Sequence, residues 1–492
     1  MRLGPLCLLT AALGCAASTP PIVSGARPRL TQTRHQQRQP RQPLLADLKS
    51  HPPVPTMGIV LTAFQIINNV AGAGILTLAA GMAAGVGWYP AILTTLALGA
   101  VSGYSFFLIG ASCELTAQRT FKGLWAATLG VSSAWVVDLS IALMCFSAAI
   151  IYSGILGDVF TPLLALAGLP ARLNLRPANI GVITASVLAP LSLLNDLSAL
   201  AFTSILGCAA VLYTVLFIVV RAVDGSYALP AAGKAAGALL ASLPAELAPT
   251  FAGQSLWRCD ATAFVLVSNL GLAFIAHYNA PAFYDSLTDA SPSRFRSVCG
   301  LAFAVLTMLY LACMGFGYAT FGDAAASNLL RNYAGADRLA VVGRVATGLS
   351  ILFGYPLVMV GLRDSLCGLL GCLADAVGGS TSGSGSGSAR GESSGGLAGA
   401  LRAAAAPANR KPLILTSLLI VTLIAISVGD IGVVVGISGA VLGAAIVYII
   451  PALIYTRATR AAGGEASPLL EPTMLSLGTV IAVLGVYMTL KS

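Results

Sequence analysis

Charge is scarce in this sequence: Asp, Glu, Lys and Arg make up 9% of 492 residues, against 57% apolar. A soluble protein of this length would have to expose far more polar surface, so a water-soluble globular fold is excluded. Histidine is rarer still, with three residues. No His-Glu-x-x-His, paired-aspartate or nucleophile–base pattern falls in the apolar runs, which leaves a membrane-embedded enzyme without its chemistry. Metal-type cysteine spacings are missing too, and Cys145, Cys208 and Cys313 lie inside apolar runs, where Cys acts as a small hydrophobe. No metal site or cofactor is implied. The net charge of +9 is modest and is concentrated near the N-terminus, a pattern that gives nucleic acid no patch to bind.

What the chain has in abundance is apolar runs of roughly 20 residues, the length that a bilayer core demands. About eleven recur, starting near Met57, Trp88, Ala134, Ile180, Ala199, Thr262, Ser297, Leu339, Leu413, Gly432 and Met474. They are too long and too uniformly apolar to alternate like barrel strands. The reading is an all-α polytopic membrane protein of about eleven transmembrane helices, with the lipid bilayer as its partner.

Residues 1–18 have a basic start, a short apolar core and a small-residue end, the grammar of a signal peptide. Residues 19–56 follow as a basic tail, rich in Arg and Gln around Arg27, Arg34 and Arg41, that is either disordered or resembles a transit peptide. Together they read as a bipartite plastid-envelope presequence; otherwise the plasma membrane or an endomembrane such as the vacuole is the destination. The transporter-like region is 57–490, with a flexible Gly/Ser-rich loop at 374–411. Basic residues such as Arg119, Lys122, Arg294, Arg296, Arg457 and Arg460 gather in alternate loops, which places those loops in the cytoplasm. Asp138, Glu114, Asp158 and Asp430, near the ends of spans, are expected to face water, and Arg344 to snorkel outward.

Two spans are interrupted. In the first, Asn68-Asn69-Val70-Ala71-Gly72-Ala73-Gly74 puts amides and glycines into mid-membrane. Broken backbone there survives only where it lines a polar cavity. Five spans later, Ser268-Asn269-Leu270-Gly271 and His277-Tyr278-Asn279-Ala280-Pro281 interrupt the sixth. Breaks at corresponding positions of two halves point to a binding site between them.

Around these breaks the chain resembles the amino acid/auxin permease family over about residues 57–490. The carriers of the resemblance are Asn68 through Ala79, Tyr152-Ser153-Gly154-Ile155-Leu156-Gly157-Asp158, Pro190 through Leu197, and Leu272-Ala273-Phe274-Ile275-Ala276-His277 with Pro281 and Tyr284. Phe316 to Gly322, Tyr355-Pro356-Leu357 with Arg363, and Asp430-Ile431-Gly432 running to Pro451 continue it in order. The resemblance implies a LeuT-type bundle, a five-plus-five inverted repeat with an appended helix, working as a monomeric, ion-coupled amino acid symporter by alternating access. An amino acid sensor on the same fold, or a carrier of other small organic acids or amines, uses the same residues.

Freed N–H groups at Gly72, Ala73 and Gly74 are placed to hold a substrate carboxylate, because the half-helix beyond them presents its positive end. Carbonyls around Asn269 to Gly271 and at Phe274 are placed to accept an ammonium, with Gly271 leaving room for a side chain. The resemblance puts a coupling cation, a proton or sodium, near Asn68. The family's hydroxyl partner is replaced by Gly354, leaving Ser350 one turn earlier, a departure that favours a proton or a weak cation site. His277 can titrate near neutral pH and is either a proton carrier or a structural histidine.

Overall fold

The computed structural model describes residues 57–194, 203–230, 235–378 and 396–491. The signal-peptide and transit-peptide readings, and the centre of the Gly/Ser-rich loop, lie outside the described residues. Described parts of that loop are helical: one long helix runs on to Gly378 and Leu397–Ala405 forms another.

Nearly everything described is helix, and among the described residues β structure amounts to two isolated bridges. Among the described residues nine helices are long and apolar enough to cross a membrane, ten when the bent pair Ile59–Val70 and Ala73–Ala83 counts as one span. That pair is span 1. Spans 2 and 3 are Trp88–Thr116 and Trp135–Leu166. The segment numbered span 4, residues 176–192, is not among these ten; it is shorter and is wound as α, π and α pieces in succession. Span 5 is Thr203–Asp224, span 6 Ala263–Ser286, span 7 Pro292–Phe321 and span 8 Arg338–Gly378. Spans 9 to 11 are Arg410–Ser427, Ile431–Ala461 and Leu470–Lys491.

Local chemistry sets several ends. Ser291 accepts the Arg294 N–H ahead of Pro292 at the start of span 7, and Asp430 accepts the Gly432 N–H at the start of span 10. Span 8 packs along span 3, span 7 along span 2, and span 11 along span 10. Small residues allow these approaches: a Cβ on Gly361 would sit 2.9 Å from the Cys145 sulfur, and one on Gly103 would sit 3.0 Å from Phe303.

Two expectations about charge change here. Asp138 is buried and the Asp158 side chain is only 4% exposed: Lys122 meets Asp138 at 2.6 Å and Arg176 meets Asp158 at 2.7 Å, so each carboxylate enters the bundle already paired. Arg344 does not snorkel. It is 2% exposed and donates to the carbonyls of Leu330, Tyr333 and Ala334, tying down the loop between spans 7 and 8. Asp337 in that loop receives a bidentate pair from Arg221 at 2.5 and 2.9 Å and a hydrogen bond from Tyr227. Burial raises its carboxyl pKa, but the hydrogen bonds from Arg221 and Tyr227 outweigh that and leave it below the usual carboxylate value of 3.8. Its contribution is therefore complete above that value and is lost only as pH falls through the lowered one.

Candidate functional site

Span 1 leaves helical geometry at Ala71, and its two halves meet at 54°. The Ala71 N–H still bonds back to Ile67, and the Gly72 N–H closes a tight turn onto the Val70 carbonyl at 2.7 Å. Gly72 therefore does not offer a free N–H, contrary to the expectation from sequence. Ala73 and Gly74 do, since among the described residues the chain supplies neither N–H with an acceptor. Beyond them the backbone winds as a 3-10 turn through Thr77 and then as α-helix to Ala83, so its amino end points at these two groups.

A small pocket of about 50 Å³ opens on this break. Ala71, Gly72 and Ala73 form one wall; Tyr152 of span 3, Thr214 of span 5, and Thr347 and Ser350 of span 8 supply the polar atoms of the others. Ile75, Leu76, Val211 and Ile351 make the rest apolar. The Tyr152 hydroxyl stands 3.4 Å from where a Cβ on Gly72 would lie, so Gly72 keeps that side of the pocket clear. Asn68 and Ser350 come together as expected from sequence. A Cβ on Gly207 of span 5 would find the Asn68 Oδ1 at 3.0 Å and the Ser350 Oγ at 3.2 Å.

Ser350 is not the lone hydroxyl the sequence suggested. Thr347 lies one turn before it on the same face of span 8, and its hydroxyl is 3.3 Å from that of Thr214. The i, i+3 spacing of Thr347 and Ser350 was the signal that could have found it. Gly354, where the family hydroxyl would sit, has open space beside it.

The break in span 6 is built differently. The helix stops at Ala273, passes through Phe274 to Ala276, and resumes as a 3-10 turn at His277–Asn279. Asn269 does not face the pocket; its amide donates to the Thr77 carbonyl at 3.0 Å and joins span 6 to the second half of span 1. Gly271 leaves room for span 10 and not for a ligand, since a Cβ there would meet the Gly439 carbonyl at 2.8 Å. The Phe274 ring is fully buried, packed on Tyr310 with centroids 4.7 Å apart. The space that the sequence reading left for a substrate side chain at Gly271 is therefore taken by span 10.

His277 is fully buried between spans 2 and 6. Its Nε2 lies 3.1 Å from the Ser102 carbonyl and 3.0 Å from the Ser105 hydroxyl, and its Nδ1 has no partner among the described residues. A carbonyl only accepts, so Nε2 carries the proton. The ring also meets Phe106 edge to face.

The two breaks nevertheless touch. A Cβ on Gly74 would lie 3.0 Å from the Ala273 Cα. Between them stands Tyr310 of span 7, which the sequence reading passed over. Its hydroxyl lies 2.5 Å from the Ala273 carbonyl and 3.3 Å from that of Val70, the last helical residues before each break. A tyrosine in an apolar run gives no pattern of its own, so only the fold exposes this role.

Among the described residues no group of three His, Cys, Asp or Glu side chains could hold a metal ion. What the geometry defines is an integral membrane bundle whose first and sixth spans are discontinuous, with a polar pocket at the first break. The family model for transmembrane amino acid transporter proteins matches residues 56–491, and the chain belongs to that family, one of transporters and not of enzymes. Vacuolar amino acid transporter 2 of Saccharomyces cerevisiae is 24% identical over 62% of this chain and 61% of that protein. Sodium-coupled neutral amino acid symporter 2 of Danio rerio is 23% identical over 63% of each. The chain thus spans less than two thirds of the length of these relatives. The crystal structure of MhsT in complex with L-phenylalanine aligns over 88% of this chain and 97% of that one, with 14% identity and a TM-score of 0.49.

Proposed function

We propose that this protein is a secondary active transporter that carries amino acids across a membrane by alternating access, driven by a cation gradient. The observation that carries the reading is the pair of open N–H groups at Ala73 and Gly74, set at the amino end of a half-helix beside a pocket that holds no arginine or lysine. Such a pair receives a carboxylate through backbone alone. Gly72 contributes by staying small, and Tyr152 faces the same wall.

Coupling to sodium is favoured over the proton. Oxygen donors from Asn68, Thr347 and Ser350 collect where spans 1, 5 and 8 meet, which suits a hard cation, and the Danio rerio relative is named as sodium-coupled. The five-plus-five repeat is supported by the occurrence of breaks in spans 1 and 6. An endomembrane location, the vacuole included, is supported by the name of the yeast relative. The substrate is an amino acid, and a monomer holds the whole pocket.

The test is uptake of labelled neutral amino acids into proteoliposomes of the full chain under an imposed sodium or proton gradient. Accumulation that follows sodium upholds both parts. Accumulation that follows only the proton overturns the sodium assignment, and none under either gradient overturns the transporter reading.

A further inference from the structure

A second cavity lies on the flank of the bundle between spans 2 and 7. It has a volume of about 780 Å³ and is walled by Leu96, Gly99 and Gly103 on one side and by Gly300, Phe303 and Met308 on the other. Leu96 and Met308 are exposed large apolar side chains on membrane spans, so the groove opens toward acyl chains and not toward water. Glycine makes it: a Cβ on Gly300 would meet nothing within 4 Å.

One end of the groove is not apolar. Arg296 lines it, near the start of span 7, together with Tyr104 and Tyr455. Its guanidinium lies 5.0 Å from the centre of the Phe107 ring and, among the described residues, forms no ion pair. Tyr104 is close enough to both Arg296 and Tyr455 to interact with them electrostatically. No acidic residue lines the cavity.

Depth agrees with this polarity. From Arg296 to Met308 span 7 rises roughly 18 Å at 1.5 Å per residue. Half of a bilayer core of about 30 Å is close to that. The cationic end also lies at the membrane face where Arg119, Lys122, Arg457 and Arg460 gather, the cytoplasmic face by the basic-residue rule.

We infer that this groove binds one phospholipid of the cytoplasmic leaflet, its anionic headgroup on Arg296, Tyr104 and Tyr455 and an acyl chain along Gly300 and Met308. A guanidinium with phenolic hydroxyls matches a phosphodiester, and a further negative charge on the headgroup adds to the attraction.

The experiment is native mass spectrometry of the full chain extracted from vesicles of equal phosphatidylserine and phosphatidylcholine. The parent protein retains one phospholipid, phosphatidylserine in preference by about five-fold. Arg296→Gln retains a lipid without that preference, and Gly300→Trp retains neither. Equal retention of the two lipids by the parent, or a preference unchanged in Arg296→Gln, overturns the assignment. Arg296 is exposed, so its variant folds and keeps the test decisive whatever Gly300→Trp does.

Discussion

The breaks in spans 1 and 6 look alike in sequence and do opposite things in the structure. At span 1 the interruption leaves the Ala73 and Gly74 N–H groups without an acceptor among the described residues, and Ala73 lines a pocket with hydroxyls opposite. At span 6 the polar residues are consumed by packing: Asn269 on Thr77, Gly271 against span 10, and His277 on Ser102 and Ser105. A broken helix in a membrane has two ways to satisfy its freed groups, a ligand-filled cavity or neighbouring protein, and this chain uses one at each break.

Substitutions separate the two. Gly271→Leu should have the largest effect, and on stability, since the added side chain enters the Gly439 carbonyl; a loss of about 3 kcal/mol, near the upper range for overpacking, appears as a lower Tm and poor yield. A Gly271→Leu protein of normal Tm and raised KM would reverse the comparison. Next, Gly74→Leu presses on Ala273 where the breaks meet, so uptake should fall to background while part of the protein still reaches the membrane; retained uptake removes Gly74 from the site. Tyr310→Phe leaves the Ala273 carbonyl without its donor, a cost of about 1–3 kcal/mol. It should lower stability and slow uptake together, because the hydroxyl serves both breaks.

His277→Gln should cost about 1 kcal/mol through its weakened bond to Ser102 and leave the pH profile of uptake unmoved. A moved profile would return His277 to the role of proton carrier. Smallest is Gly72→Ala, whose methyl lies at ordinary contact distance from Tyr152. It should raise KM with no change in Tm, and the reverse pattern would make Gly72 a packing glycine.

The membrane bundle was legible in the sequence because apolar runs report directly on the solvent around a helix. So were both interruptions, since Gly, Asn and Pro in mid-run have few bland explanations. Which atoms face inward was not. Gly271 and Gly72 are the same residue at similar breaks, and only the position of span 10 makes Gly271 a contact point between helices. Asp138 and Asp158 looked solvated because they sit near helix ends; Lys122 and Arg176, distant in sequence by 16 and 18 residues, arrive through the fold to pair with them. Thr347 was visible in principle from its spacing to Ser350, and Tyr310 was not.

Tyr310 carries a single hydroxyl proton between two carbonyls that both end a half-helix. One proton cannot serve both acceptors fully, and the distances record the division: the Ala273 carbonyl holds it, while Val70 keeps the Gly72 N–H as its nearer donor. Turning one O–H torsion hands the proton from span 6 to span 1 without breaking any other bond. The two discontinuities are in effect wired to one rotor, so a change in the balance at either is felt at the other at the scale of a single hydrogen bond.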